Sequence, residues 1–87
     1  MSKNFDENVT SLERQERLAA MEREFIESII ALRKKRHVSQ QRMADDGGVI
    51  RETIARIEGS ITSPQVNTLM KILEPYGYTI KLTKIKK

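Results

Sequence analysis

The chain has 87 residues, of which 38% are hydrophobic and 32% charged, so it can build one modest core and two folded domains are excluded. Its 16 Lys and Arg side chains outnumber its 12 Asp and Glu side chains, and this basic balance favours an anionic partner. The charge is divided unevenly, with a net −3 over residues 1–32 and a net +7 over residues 33–87. An acidic N-terminal segment therefore precedes a basic remainder.

Several classes of protein are disfavoured by what the sequence lacks. There is no cysteine, which removes disulfides and thiolate metal sites and suits a reducing cytoplasm. No apolar run approaches the roughly 20 residues that cross a bilayer, and the first residues do not resemble a signal peptide. The single histidine, His37, leaves no histidine pair and no Ser–His–Asp set. We expect a cytoplasmic protein that is not an enzyme and holds no metal, cofactor or small-molecule ligand.

The N-terminal third predicts a flexible arm followed by a long amphipathic helix. Residues 1–10 are polar and lack periodicity, and Thr10 or Ser11 can cap the helix that follows. Beyond them, apolar residues recur at steps of three and four, namely Leu18, Met21, Phe25, Ile29 and Leu32. This pattern predicts one long helix or two abutting helices. We interpret residues 11–24 as an extension of a domain over residues 25–77. We expect His37 to lie at or near a left-handed cap position at the end of a helix.

Two short helices are predicted in the middle of the chain. Ser39 can cap a helix over residues 40–46, Gly47-Gly48 would break it, and a second helix follows over residues 51–58. The residues expected to face inward are Met43, Ala44, Ile54 and Ile57. This layout is that of a helix-turn-helix, in which the second helix enters the major groove of DNA.

The outward residues of that second helix suit base recognition. They are Arg51, Glu52, Ala55 and Arg56. Arginine can donate two hydrogen bonds to guanine, and glutamate can accept from cytosine. The alternative is that they are ordinary surface charges on a small helical protein.

A further helix and a terminal strand complete the chain. Ser63 and Pro64 are suited to start the helix, and Pro75 and Gly77 to end it. Its expected buried stripe is Val66, Leu69, Met70, Ile72 and Leu73. Residues 78–83 alternate apolar and polar side chains, which is typical of a half-buried strand, and a basic tail follows to residue 87. Because a lone strand leaves its backbone unpaired, we expect it to pair with the same strand of a second copy in a homodimer. The pairing face consists of Tyr78, Ile80 and Leu82.

Residues 25–77 closely resemble the Xre and Cro-like helix-turn-helix family. The matching segments include Leu32-Arg33-Lys34-Lys35, Val38-Ser39-Gln40-Gln41, Met43-Ala44, Gly48-Val49 and Arg51-Glu52-Thr53-Ile54-Ala55-Arg56-Ile57-Glu58. With the acidic helix in front and the Leu73-Glu74-Pro75-Tyr76-Gly77-Tyr78 exit behind, the chain looks like the HigA-type antitoxins of type II toxin–antitoxin operons. The resemblance implies an all-α, lambda-repressor-like bundle of four to five helices, to which the C-terminal β-strand is added.

The resemblance also implies roles for individual residues. Arg51, Glu52 and Arg56 match base-reading positions, and Arg33 and Glu58 match a buried structural salt bridge. The residues expected to meet DNA phosphates are Ser39, Gln40, Arg42, Thr53, Ser60 and Thr62. Some positions depart from the family: His37 stands where glycine is usual, Ile50 where a Ser or Thr N-cap is usual, and Gly47 where an apolar residue is common. The missing hydroxyl costs about 1 kcal/mol.

The function implied by the resemblance is that of a homodimeric repressor of its own operon. It would bind a palindromic operator in double-stranded DNA and neutralise a RelE- or HigB-like mRNA endonuclease. Such toxins are generally basic, so the acidic N-terminal helix is the candidate toxin-facing surface, through Leu18, Met21, Glu22 and Phe25. Alternatively, that helix only packs on its own core or on the dimer mate. A stand-alone Xre-type repressor without a toxin, or an interaction module with a vestigial helix-turn-helix, are the competing hypotheses.

Overall fold

The computed structural model describes residues 9–85, which form four α-helices and one 3₁₀ turn. The helices are α1 (Ser11–Lys35), α2 (Gln40–Gly47), α3 (Arg51–Glu58) and α4 (Val66–Leu73), and the 3₁₀ turn is Glu74–Tyr76. The prediction of an all-helical bundle is confirmed. The helices of this part of the chain include no stretch apolar enough to span a bilayer. Residues 1–8 of the expected arm and residues 86–87 of the expected tail lie outside the described residues.

Helix α1 is a single helix of 25 residues. It begins with a capping box: the Thr10 hydroxyl accepts from the Glu13 amide at 3.1 Å, and the Glu13 carboxylate accepts from the Thr10 amide at 3.1 Å. Cationic side chains fill its last turn, where they complement the helix dipole. At a rise of about 1.5 Å per residue, the helix is roughly 37 Å long. The expected division between residues 24 and 25 falls within this continuous helix.

Left-handed backbone conformations separate α1 from α2 and α2 from α3. His37 has φ 57°, as its predicted cap position requires, and Gly48 has φ 71°. Ser39 caps α2 by accepting from the Arg42 amide at 3.0 Å. The predicted break at Gly47-Gly48 is confirmed: α2 extends one residue beyond its predicted end, to Gly47, and Gly48 ends it as the left-handed C-cap. A Cβ on Gly47 would lie 3.0 Å from the Ile72 Cα, so the lack of a side chain lets α4 pass closely.

The buried core contains nine hydrophobic residues from all four helices: Ile26, Ile29, Met43, Ala44, Ile54, Ile57, Leu69, Ile72 and Leu73. The predicted inward residues of α2 and α3 are among them. Two members of the stripe predicted for α4 are not, since Val66 is 60% and Met70 is 42% exposed. Helix α4 also begins later than predicted: Gln65 is its N-cap, and the Ser63 hydroxyl donates to Glu22 on α1 instead of capping α4.

The C-terminal segment does not form the expected strand in the single chain. Residues 9–85 contain no β-strand, and residues 78–85 adopt no regular secondary structure. A strand needs a neighbour to accept its backbone hydrogen bonds, and these residues of one chain offer none. Tyr78 and Leu82 are 53% and 99% exposed, whereas Ile80 packs against the core.

Candidate nucleic-acid interface

Helix α3 has one buried face and one face open to solvent. Ile54 and Ile57 anchor it to the core, and it packs against α1 and α2. Of the residues predicted to read bases, Arg51, Glu52 and Arg56 are exposed and Ala55 is half-buried. Glu52 and Arg56 approach each other at 3.6 Å along the helix surface. The helix therefore presents its charged side chains together on one outward face.

The structure brings Arg33 and Glu58 together in a two-pronged ion pair. Arg33 Nε lies 2.6 Å from Glu58 Oε2, and Arg33 Nη2 lies 2.9 Å from Glu58 Oε1. The remaining Nη1 donates to the Val38 carbonyl at 2.9 Å. The two side chains are only 13% and 9% exposed, so the pair is shielded from water. It ties the C-terminal end of α1 to the C-terminal end of α3.

The ion pair holds both groups in their charged forms. Burial works to raise the pKa of Glu58, but hydrogen bonds from Arg33 and Gln40 outweigh it and leave that pKa below its ordinary value. The hydrogen bond to Glu58 raises the pKa of Arg33. Near neutral pH the link is therefore an interaction between full charges.

Gln40 connects this ion pair to the exposed face of α3. Its Nε2 donates to Glu58 Oε1 at 3.0 Å, and its Oε1 accepts from Arg51 Nη1 at 3.0 Å. Gln40 is predicted to contact a DNA phosphate, but in the structure its side chain bonds to Glu58 and Arg51. A chain of hydrogen bonds runs from Arg33 through Glu58 and Gln40 to Arg51. Sequence reasoning missed this link, because no local pattern joins residues 40, 51 and 58.

The other five predicted phosphate contacts lie at the start of α2, within α3 and in the loop after α3. Ser39 is the N-cap of α2, and Arg42 lies in its first turn, where it also contacts Asp46 at 3.1 Å. Ser60 and Thr62 lie in the loop after α3 and are exposed. Thr53 is half-buried within α3 itself.

A second polar cluster, which the sequence did not reveal, fastens the end of α2 to the 3₁₀ turn. The Tyr76 hydroxyl donates to Asp46 Oδ2 at 2.7 Å, and Arg36 donates to the Tyr76 carbonyl at 3.2 Å. Burial and the hydrogen bond to Asp46 raise the pKa of Tyr76 to about 12. The same bond lowers the pKa of Asp46, which therefore stays charged although it lies at the negative end of a helix dipole. Residues 46 and 76 are 30 apart, too distant for a local sequence signal.

The predicted toxin-facing residues of α1 do not share one environment. Leu18 and Met21 are 44% and 40% exposed, whereas Phe25 is half-buried and packs against the core. Glu22 accepts a hydrogen bond from Ser63 at 2.9 Å. The structure thus leaves Leu18 and Met21 as the exposed apolar members of the set. Within residues 9–85, no cluster of His, Cys, Asp and Glu could hold a metal ion.

The chain is similar to known proteins in sequence and in fold. Residues 29–82 match the family model described as helix-turn-helix. The chain is similar to an uncharacterized HTH-type transcriptional regulator from Haemophilus influenzae, with 36% identity over 61 residues, covering 70% of this chain and 62% of that protein. It thus spans about three fifths of the length of that relative. It is also similar in structure to a toxin–antitoxin module from Streptococcus pneumoniae, with 29% sequence identity, a TM-score of 0.68, and coverage of 98% of this chain and 97% of that chain.

Proposed function

Because the chain belongs to the helix-turn-helix family, we propose that it is a cytoplasmic transcriptional repressor that binds a specific site in double-stranded DNA. The observation that carries this proposal is the outward face of α3, with Arg51, Glu52 and Arg56 exposed on a helix whose other face is anchored in the core. The link from Gln40 holds Arg51 before DNA arrives, which lowers the entropy lost on binding. Arg51 and Arg56 are proposed to bind guanines, and Glu52 a cytosine.

The proposed DNA-binding form is a homodimer on a palindromic operator. Two half-sites about one helical turn apart require two recognition helices related by a two-fold axis. The exposed Tyr78 and Leu82 are candidates for contacts between copies, since an antiparallel pairing centred on Ile80 brings Leu82 of each copy opposite Tyr78 of the other. Tyr78 borders a groove of about 290 Å³ between α1 and the C-terminal segment, lined also by Phe25 and Leu73.

Operator binding is tested with a duplex carrying the region upstream of the protein's own gene. The affinity of the wild-type protein should fall with rising salt, with a log–log slope of about 0.9 per neutralised phosphate. Arg51→Ala should cost about 1–3 kcal/mol and relax the preference at one base pair. Arg14→Ala is the matched control, because it removes an equal charge from the exposed start of α1. A flat salt response, or equal losses on unrelated DNA, would contradict the proposal.

We further propose that the protein is the antitoxin of a RelE- or HigB-like mRNA endonuclease. The support is the likeness to the Streptococcus pneumoniae module and the exposed start of α1. Leu18 and Met21 form an apolar pair on the part of α1 over residues 11–32, which carries a net −2 and is complementary to a basic protein.

Co-expression with the product of the adjacent gene, followed by co-purification, tests this assignment. Leu18→Glu together with Met21→Glu should abolish the complex and leave operator binding unchanged. Ala19→Glu together with Ala20→Glu adds the same two charges on the opposite side of the same helix and should leave the complex intact. Retention of the partner by the double variant would refute the assignment of this surface.

The alternative function is that of a stand-alone Xre-type repressor without a toxin partner. The likeness to the Haemophilus influenzae protein, an uncharacterized HTH-type transcriptional regulator, supports it. The neighbouring gene separates the two proposals: a small basic reading frame supports the antitoxin, and its absence supports the stand-alone repressor.

A further inference from the structure

The loop after α3 turns sharply at Ser60. This residue has φ 56°, a conformation that residues other than glycine rarely adopt. The turn is closed by backbone hydrogen bonds from the Ser60 amide to the Ile57 carbonyl at 3.1 Å and from the Ile61 amide to the Arg56 carbonyl at 3.0 Å. Ser60 therefore lies directly beyond the C-terminal end of the recognition helix.

Two side chains of α1 reach across to this loop. Arg23 Nη1 donates to the Ser60 hydroxyl oxygen and to the Glu58 carbonyl, the latter at 3.3 Å. The neighbouring Glu22 accepts from the Ser63 hydroxyl at 2.9 Å. Arg23 is itself oriented by Glu27, one turn along α1, at 3.3 Å. Both ends of the loop are thus held by consecutive residues of the same helix.

The contact with Arg23 leaves the Ser60 hydroxyl able to donate a hydrogen bond. A hydroxyl oxygen can accept one hydrogen bond and still donate its own proton. By accepting from a cation, Ser60 keeps its O–H free and becomes a better donor towards an anion. The hydroxyl is exposed, so a phosphate oxygen can approach it.

We propose that Arg23 is a positioning residue for DNA binding, which fixes the Ser60 hydroxyl as a donor to the DNA backbone. The proposal rests on the proposed DNA-binding function and assigns a role to a residue outside the helix-turn-helix motif. Arg23 acts through Ser60 and through the carbonyl of Glu58, whose side chain anchors α3. The base-reading face and the backbone-contacting loop are then held by one connected set of bonds.

A double-mutant cycle on the upstream duplex tests the proposal. Arg23→Ala should weaken binding about tenfold and leave the salt slope unchanged, because the lost phosphate contact is made by the neutral Ser60 hydroxyl, which releases no counterion. Ser60→Gly should do the same, since glycine removes the hydroxyl and accepts the positive φ. The double variant should bind no more weakly than either single variant. Arg14→Ala, which removes the same charge elsewhere on α1, should bind like the wild type.

A measurement without DNA tests whether Arg23 positions the loop, separately from operator binding. Amide hydrogen exchange at Ser60 and Ile61 should accelerate in Arg23→Ala and remain unchanged in Arg14→Ala. Unchanged exchange overturns the inference, whatever the DNA result. Additive effects of Arg23→Ala and Ser60→Gly on binding also overturn the inference. In that case the proposed function stands, provided that the wild type binds the duplex and Arg51→Ala weakens the binding. If the wild type shows no salt-sensitive binding, the proposed function and the role of Arg23 in it both fail.

Discussion

The side chain of Gln40 joins the shielded interior of the bundle to its surface. Its amide donates through one atom to Glu58 and accepts through the other from Arg51. A carboxylate at this position could only accept, and an ammonium group could only donate. The amide is therefore suited to standing between an anion and a cation, and it transmits the fixed geometry of the Arg33–Glu58 pair to the start of α3.

The stability of the bundle should depend on both partners of that pair. Breaking a fully buried pair costs about 3–5 kcal/mol, and since this one is partly accessible we expect Arg33→Ala to cost about 2 kcal/mol. Replacing both residues with methionine should recover most of the loss, because no charge is then left unpaired. Urea unfolding measures the difference. A double variant less stable than Arg33→Ala would contradict this account.

The same pair predicts sensitivity to acid. The folded-state pKa of Glu58 lies below its ordinary value of 4.5, so the unfolded chain binds more protons in acid. The stabilisation is complete above the unfolded-state pKa and is lost as the pH falls through the lower folded-state pKa. Glu58→Gln should therefore flatten the decline in unfolding free energy below about pH 5. Glu24→Gln, at an exposed position on α1, should leave that decline unchanged.

At the scale of elements, α3 begins without a side-chain cap, as does α4. Helices α1 and α2 are capped by Thr10 and Ser39, whereas the N-cap of α3 is Ile50, which makes no side-chain hydrogen bond and is 65% exposed. The recognition helix is consequently held by its C-terminal ion pair and its buried isoleucines, not by its cap. The structure thus shows an N-cap at Ile50 without the side-chain hydroxyl that is usual in the family.

Restoring a hydroxyl at this position should stabilise the protein. Ile50→Ser should raise the unfolding free energy by about 1 kcal/mol, because Ser can accept from the orphan amides of the first turn of α3. Ser39→Ala at the cap of α2 is the counterpart and should lower it by about the same amount. Chemical denaturation of both variants measures the two effects, and an unchanged midpoint for Ile50→Ser would refute the first.

The elements that sequence reasoning located correctly are those with local signals. The start of α1 is signalled by Thr10 and Glu13, which are three residues apart. The position of α3 is signalled by the glycines before it and by the periodic apolar pair within it. The predicted start of α4 was wrong, because Ser63 forms a hydrogen bond with Glu22, which lies 41 residues earlier. Likewise, Gln40 and Tyr76 acquire their roles from partners that only folding brings close. Local chemistry predicts helices, but not which polar groups meet across them.

For the whole molecule, the proposed dimer depends on the C-terminal segment. Leu82 is 99% exposed in the single chain, so its side chain is available for contact with a second copy. Leu82→Lys should shift sedimentation equilibrium towards the monomer, because it places a charge on the proposed pairing face. Thr83→Lys adds the same charge on the other face of a strand and should leave the dimer intact. Equal behaviour of the two variants would count against strand pairing.

Helix α1 carries a consequence for how any assembly on this protein is arranged. The molecule measures 45 × 23 × 21 Å, and one uninterrupted helix leads from exposed residues 11–16 into the core at Ile26 and Ile29. Because α1 has no break, its N-terminal part cannot rotate about a hinge relative to the core. A protein seated near Leu18 would therefore hold a constant bearing and distance relative to the major groove under α3. In a symmetric dimer the angle between the two copies of α1 would be fixed by the fold. The position of each bound partner along the duplex would therefore be fixed as well.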